Sequence, residues 1–165
     1  MKLPTKEKQL IRRLQSEVNQ EILSLEALHR ELKTLKPRLT QKEVSNLDLR
    51  AAGSILHDFY NGIENIFRRI AQELNGGLPA GEDWHKQLLT DMSLEIKGVR
   101  PPLISEDLKL KLQKYLGFRH IFRNIYGSYL EQEQIKALVK EFPRILLCLK
   151  REIAVFQKYL DELSQ

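Results

Sequence analysis

Residues 119–126 gather five side chains whose types could do chemistry on a phosphodiester: Arg119, His120, Arg123, Asn124 and Tyr126. Arginine stays protonated and binds phosphate through its planar fork, so it can stabilise the charge that builds up at phosphorus during an in-line attack. Histidine titrates near neutrality and can move the proton of an attacking 2′-hydroxyl or of the leaving oxygen. Asparagine can position a group but takes up no proton at ordinary pH. These residue types suit a surface that binds or cleaves RNA.

The spacing of these residues predicts that they share one side of a helix. With Arg119 at zero and about 100° per residue, the other four polar side chains fall between about 340° and 140°, an arc predicted to face solvent. Four apolar residues between about 200° and 300° are predicted to face the core. They are Phe118, Ile121, Phe122 and Ile125. An ordinary solvated helix surface gives the same pattern, so periodicity alone leaves that alternative open.

The elements that must hold this segment are predicted to be helices throughout. Apolar residues recur at three- and four-residue spacing, and the sequence contains no strand-like alternation, internal repeat or low-complexity tract. We therefore expect an all-α fold, an antiparallel bundle of four or five helices that forms one domain over residues 1–165.

Start and stop residues give the expected helix bounds. Thr5, Ser45 and Ser105 are predicted caps, and Pro143 is predicted to kink or break the last helix. The first two helices should form an antiparallel hairpin. The predicted helices cover approximately residues 5–37, 45–74, 84–98, 105–126 and 131–165.

Composition excludes several classes of protein. The 165 residues contain no apolar run near the ~20 that a membrane-spanning helix needs, and the N-terminus lacks a secretory signal, so we expect a soluble cytoplasmic protein. Cys148 is the single cysteine, which excludes an intramolecular disulfide. The net charge of +5 favours an anionic partner only mildly. No acidic cluster has magnesium-binding spacing, so cleavage is expected to need no metal or cofactor and to leave a 2′,3′-cyclic phosphate.

The stretch Tyr-Leu-Gly-Phe-Arg-His-Ile-Phe-Arg-Asn-Ile-Tyr-Gly at residues 115–127 resembles the signature helix of HEPN proteins, and of the HepT-like group in particular. In that family an Arg is followed after four to six residues by His, and in HepT-like members a Tyr comes two positions later. Arg119 and Tyr126 match this pattern, whereas Asn124 stands where the His is expected. His120 is then the only imidazole in the motif. Residues 56–67, 83–86 and 99–101 resemble other parts of the family, so the similarity covers roughly residues 45–160.

This resemblance implies an RNA-cleaving toxin with catalytic residues Arg119, His120 and Asn124 and with RNA contacts from Arg119 and Arg123. It also implies a homodimer whose motif helices face one cleft, and a partner antitoxin, an MNT-type nucleotidyltransferase, that transfers AMP to Tyr126. Because Asn124 replaces the His, a catalytically inactive RNA-binding member is one alternative. A helical interaction module that docks an acidic protein on its Arg face is another.

Two residues outside the motif helix complete the candidates. Glu64 can pair with Arg119 or Arg123 across the bundle and so fix a guanidinium. Pairing with Arg68, four residues along the same helix, is the ordinary surface alternative. His85 has no second ligand at helical spacing, so it is predicted to be structural.

Overall fold

A computed structural model describes residues 4–124 and 130–165, and these residues form five α-helices. They are α1 (Thr5–Leu39), α2 (Asn46–Leu74), α3 (Trp84–Met92), α4 (Glu106–Asn124) and α5 (Gln132–Ser164). The same residues contain no strand, only a single antiparallel bridge between Ile96 and Arg100. The predicted all-α helical bundle is confirmed. None of the described helices has both the length and the apolar content needed to cross a membrane.

Two of the predicted caps begin helices. The Ser45 hydroxyl oxygen accepts a hydrogen bond from the Asp48 amide, and the Ser105 hydroxyl oxygen accepts one from the Leu108 amide. Each bond satisfies a backbone N–H that has no partner within the helix. Ser105 also donates from its backbone amide to the Glu152 carboxylate at 2.7 Å. The cap of α4 therefore also fixes the start of this helix against α5.

The first helix is expected to stop at Pro37 and the last to kink or break at Pro143, but neither proline ends its helix. α1 continues through Pro37 to Leu39, and α5 continues without a break through Pro143. A proline inside a helix removes one backbone hydrogen bond. The core contacts of flanking residues such as Phe142 and Ile145, both buried, favour the helix by more than that loss.

Two other predicted bounds are also wrong. Pro4, not Thr5, stands at the cap position of α1, and Thr5 is its first helical residue. α3 ends at Met92, well before Gly98. Gly98 has a φ of +78°, a conformation that L side chains rarely adopt, and it turns the chain between Ile96 and Arg100.

The first two helices form the predicted antiparallel hairpin. Near one end of the hairpin Arg69 lies 2.8 Å from Glu17, and near the other Arg38 lies 3.3 Å from Asp48. α5 also packs against α1. Hydrogen bonds join the start of α1 to the end of α5, so the two helices run in opposite directions. α2 and α5 therefore run parallel to each other.

The helix that carries the motif lies between α2 and α5 and runs antiparallel to both. Its start contacts the middle of α5 through Ser105 and Glu152, and the Tyr115 hydroxyl donates a 2.6 Å hydrogen bond to the Leu138 carbonyl near the start of α5. α3 packs against both α2 and α4. The motif residues are therefore positioned by three helices.

A glycine lets α2 and α4 approach closely. A Cβ at Gly53 would lie 2.8 Å from the Phe122 ring, so only glycine fits there without a shift. In the adjoining core the Phe59 ring lies 5.5 Å from the Tyr115 ring and 3.9 Å from the Phe142 ring, between centroids. This aromatic cluster joins α2, α4 and α5 beneath the motif.

Candidate functional site

The buried face of α4 is set by residues that precede the motif. Leu108, Leu112 and Tyr115 are buried and follow one another at spacings of four and three residues. Arg119 comes four residues after Tyr115, so its side chain points towards α2 and only 12% of it is exposed. The expectation that Arg119 faces solvent beside His120 is therefore wrong. The apolar residues that fix this orientation begin at Leu108, before the segment 115–126 that was used to predict it.

The residues predicted to face the core divide into different environments. Phe118 is buried, and Phe122 is half-buried against Gly53. Ile121 is 41% exposed, so the prediction is wrong for this residue. Ile125 lies outside the described residues. The buried arc of α4 therefore includes Arg119 and excludes Ile121.

α2 supplies two partners for the Arg119 guanidinium. Arg119 Nε donates a hydrogen bond of 2.5 Å to Asn61 Oδ1, and Arg119 Nη2 lies 3.9 Å from Glu64 Oε1. Asn61 and Glu64 are three residues apart, so both lie on the same face of α2. The structure therefore shows Glu64 in contact with Arg119 across the bundle rather than with Arg68. The guanidinium carbon of Arg68 instead lies 5.7 Å from the centre of the Trp84 ring.

His85, from the first turn of α3, binds the same carboxylate. His85 Nδ1 lies 2.7 Å from Glu64 Oε2, and the Glu64 side chain is only 6% exposed. Trp84 stacks on the His85 ring, with ring centroids 3.7 Å apart. The imidazole and the Arg119 guanidinium thus approach the two oxygens of one buried carboxylate. The sequence predicts a structural role for His85, and no local signal links it to Glu64, because their contact depends on how α3 packs on α2.

Asn61 is a partner of Arg119 that lies outside the sequence motif. Its side-chain nitrogen lies 3.1 Å from His57 Nδ1, one turn earlier on α2. The His57 ring in turn lies 5.3 Å from the Phe122 ring, between centroids. Polar residues at 57, 61 and 64 follow helical spacing along one face of α2, and that spacing was the available signal.

Tyr60 lies fully buried beside these charges. Burial, followed by the negative charge of Glu64, raises the pKa of the Tyr60 hydroxyl. The phenol is therefore neutral at physiological pH, and its oxygen has no hydrogen-bond partner among residues 4–124 and 130–165. Glu64 and Arg119 therefore carry the opposite charges of this site, and His85 carries a further positive charge only when it is protonated.

The other motif residues lie on the solvent side of α4. His120, Arg123 and Asn124 are exposed. The Asn124 side chain turns back on its own helix, since its Nδ2 donates a 2.8 Å hydrogen bond to the His120 carbonyl. Tyr126 lies outside the described residues. The structure therefore brings Arg119 together with Asn61, Glu64 and His85 and leaves the exposed motif residues around the end of the helix.

The arrangement combines two functions within one cluster. Asn61 and Glu64 fix the Arg119 guanidinium, which lowers the entropy that it loses on binding a phosphate. Glu64 orients the His85 imidazole and leaves its Nε2 for another partner. Such a cluster can bind an anionic group and hold a proton-transfer group beside it.

A family model described as a HepT-like protein matches residues 51–160, which contain most of α2, all of α3 and α4, and most of α5. No curated protein and no solved structure matches the chain.

Proposed function

The chain belongs to the HepT-like protein family, and from this premise we propose that it is the toxin of a two-component module, an endoribonuclease that needs no metal ion. The observation that carries the proposal is the fixed guanidinium of Arg119, the residue that matches the family's catalytic Arg. It is held at its Nε by Asn61 and faces Glu64.

Arg119 is proposed to bind the scissile phosphate and to stabilise the charge that develops on it. A guanidinium whose orientation is already fixed meets a phosphate at little further entropic cost. Arg123 is exposed one turn later on α4, and we assign it to a neighbouring phosphate of the same strand. Removing one positioned charge donor of this kind lowers a rate by about 10²–10³-fold in other enzymes.

The proposed reaction is an internal transesterification. The 2′-oxygen forms a bond to phosphorus, the bond from phosphorus to the 5′-oxygen breaks, and the products are a 2′,3′-cyclic phosphate and a free 5′-hydroxyl. His120 is the imidazole within the motif, and we assign it to protonating the leaving 5′-oxygen. Asn124 takes up no proton, so its proposed part is to position the strand through its amide.

A second copy of the chain is proposed to pack against the exposed side of α4. Residues 110, 114, 117, 121 and 124 recur at four- and three-residue spacing on the exposed side of α4. Leu110 is 53% and Ile121 is 41% exposed, and a Cβ at Gly117 would meet no atom within 4 Å. This stripe fits the motif helix of a second copy, because a helix can approach closely where glycine leaves open space. Arg119 lies on the opposite side of α4 and faces α2, so pairing through this stripe would leave the Arg119 cluster of each copy open to RNA.

The antitoxin is proposed to act on Tyr126. This assignment rests on the family, in which an MNT-type nucleotidyltransferase transfers AMP to the motif tyrosine. Tyr126 follows Arg123 by three residues, so an added phosphate would put negative charge close to the arginines that bind RNA. Intact mass of the protein expressed with and without such a partner tests this step, and an unchanged mass overturns it.

Cleavage of a labelled single-stranded RNA in the presence of EDTA tests the main proposal. We expect Arg119→Lys, which keeps the charge but loses the fork, to lower the rate about 100-fold. Arg13→Lys is the matched control, since Arg13 lies on α1 with 80% of its side chain exposed, and we expect it to cleave as the unaltered protein does. Circular dichroism checks that both variants fold.

The same assay separates the proposal from its alternatives. RNA binding without cleavage by the unaltered protein would identify an inactive RNA-binding member. Absence of both binding and cleavage would leave the helical interaction module. Cleavage that disappears with EDTA would overturn the metal-independent mechanism.

A further inference from the structure

The contact between Glu64 and His85 is the feature of the cluster that the motif does not explain. Glu64 is buried at the junction of α2, α3 and α4, and two basic side chains from different helices approach its two oxygens. The position in α4 where the family pattern expects an imidazole holds Asn124. An imidazole nevertheless lies at this junction, and it comes from α3.

We infer that His85, oriented by Glu64, faces the RNA phosphate bound by Arg119 and takes the proton of the attacking 2′-hydroxyl. This inference rests on the proposed function, and it adds a catalytic residue from outside the motif helix.

The geometry of the His85 ring suits a base. Its Nδ1 lies 2.7 Å from Glu64 Oε2, so a proton on Nδ1 is held by the carboxylate and the lone pair lies on Nε2. The stacked Trp84 ring limits rotation of the imidazole. About 24% of the His85 side chain is exposed, which leaves room for a ligand at the ring. A carboxylate behind an imidazole also stabilises the protonated ring once the proton has moved.

The surroundings of His85 favour a nucleic-acid strand. The Arg68 guanidinium lies over the Trp84 ring, which stacks on His85, and Arg119 contacts the far oxygen of Glu64. Cations on either side of a stacked aromatic pair fit a phosphate backbone with a base beside it. The other candidate imidazole, His120, is exposed, and no side chain in residues 4–124 or 130–165 hydrogen-bonds its ring.

Two imidazoles carry the protons of the proposed step. The 2′-hydroxyl proton moves to His85 Nε2 as the 2′-oxygen bonds to phosphorus. The bond from phosphorus to the 5′-oxygen breaks, and that oxygen takes the proton of His120. Solvent then removes the proton from His85 and returns one to His120, which restores both rings.

The first test is His85→Gln, with His29→Gln as the matched control on α1. Glutamine can donate a hydrogen bond to Glu64 but cannot act as a base. We expect His85→Gln to lower the cleavage rate about 100-fold or more, with unchanged affinity for a 2′-O-methyl RNA that cannot be cleaved. The acidic limb of the pH–rate profile should also disappear in this variant. His29→Gln should keep both the rate and the limb.

A second measurement, by NMR, tests whether His85 lies next to bound RNA and requires no cleavage. Addition of the 2′-O-methyl RNA to ¹⁵N-labelled protein should shift the ring resonances of His85 and leave those of His29 in place. A purely structural His85 would show no such shift, and its Gln variant would lose stability while the rate and the pH profile stayed the same.

The outcomes separate this inference from the proposed function. Cleavage that survives in His85→Gln with its acidic limb intact overturns the inference and leaves the ribonuclease in place. A protein that cleaves no RNA overturns the ribonuclease, and the ring resonances then decide by themselves whether His85 lies at the RNA. Ring resonances that do not respond to bound RNA overturn the inference.

Discussion

Arg119 shows how a single residue can serve both the fold and a site. A buried charge is costly unless it is paired and hydrogen-bonded, and the Arg119 side chain is only 12% exposed. Asn61 satisfies its Nε, and Glu64 provides the opposite charge. The same contacts that make burial tolerable also fix the orientation of the guanidinium. Loss of either partner should therefore alter both stability and ligand binding.

Asn124 gives the sharpest test at the scale of one residue. Its side chain is exposed and its amide bonds the carbonyl of His120 in the same helix, so replacement should cost little stability. We expect Asn124→His to raise RNA cleavage about tenfold or more, because it adds a proton-transfer group at the position of the family motif. Asn124→Gln serves as control and should leave the rate low. Equal rates for both variants would contradict a role for this position in proton transfer.

The sequence predicts local structure well where that structure depends on residues close by in the chain. Ser45 and Ser105 could be recognised as caps because the amides that they bind lie three residues away. The contact of Arg119 with Asn61 joins residues 58 apart, and that of His85 with Glu64 joins residues 21 apart. Such contacts depend on how helices pack, and a single sequence carries no direct signal of helix packing.

The orientation of α4 can be predicted from the sequence, but only from the apolar spacing along the whole helix. Leu108 and Leu112 define the buried arc, and Arg119 falls on that arc by continuing their spacing. A wheel drawn over residues 115–126 alone gives weight to Ile121, which the structure exposes. One consequence is that the exposed stripe of α4 is partly apolar, as an interface between helices requires.

Gly117 allows the proposed dimer to be tested without disturbing the protomer. Its Cβ would meet no atom within 4 Å, so Gly117→Ala should stabilise the helix by about 1 kcal/mol. Gly117→Glu should fold equally well in the protomer but place charge and bulk in the stripe. We expect analytical ultracentrifugation to give a dimer for Gly117→Ala and a monomer for Gly117→Glu. A Gly117→Glu variant that still forms dimers would show that another surface joins the copies.

At the scale of the whole molecule, the bundle separates the motif from the long helix α1. A groove of about 610 Å³ between α1 and α5 is lined by side chains such as Arg12, Lys150 and Lys158, and it includes no residue of α4. This groove therefore lies apart from the motif helix. His29 of α1 also packs against α5, since its ring stacks on Phe142 with centroids 5.7 Å apart.

Protonation of His29 should contribute to the way the stability of the protein changes with pH. Burial first, and then the positive charges of Lys33, Lys150 and Lys36, lower the pKa of His29 in the folded protein. Above the unfolded pKa of about 6.5 the ring is neutral in both states, so the full stability is present. Below that pH the unfolded chain takes up the proton more readily, and the free energy of unfolding falls until the pH passes the folded pKa.

Denaturant titrations at pH 7.5 and pH 5 can isolate this contribution. Carboxylates also change the stability over this range, but they do so in the unaltered protein and in a His29→Gln variant alike. We therefore expect His29→Gln to lose less free energy of unfolding than the unaltered protein between the two pH values. An equal loss in both proteins would show that His29 takes up its proton as readily in the folded bundle as in the unfolded chain. His29 makes no hydrogen bond to Arg119, Asn61, Glu64 or His85 within residues 4–124 and 130–165, so RNA binding at neutral pH should be the same in both.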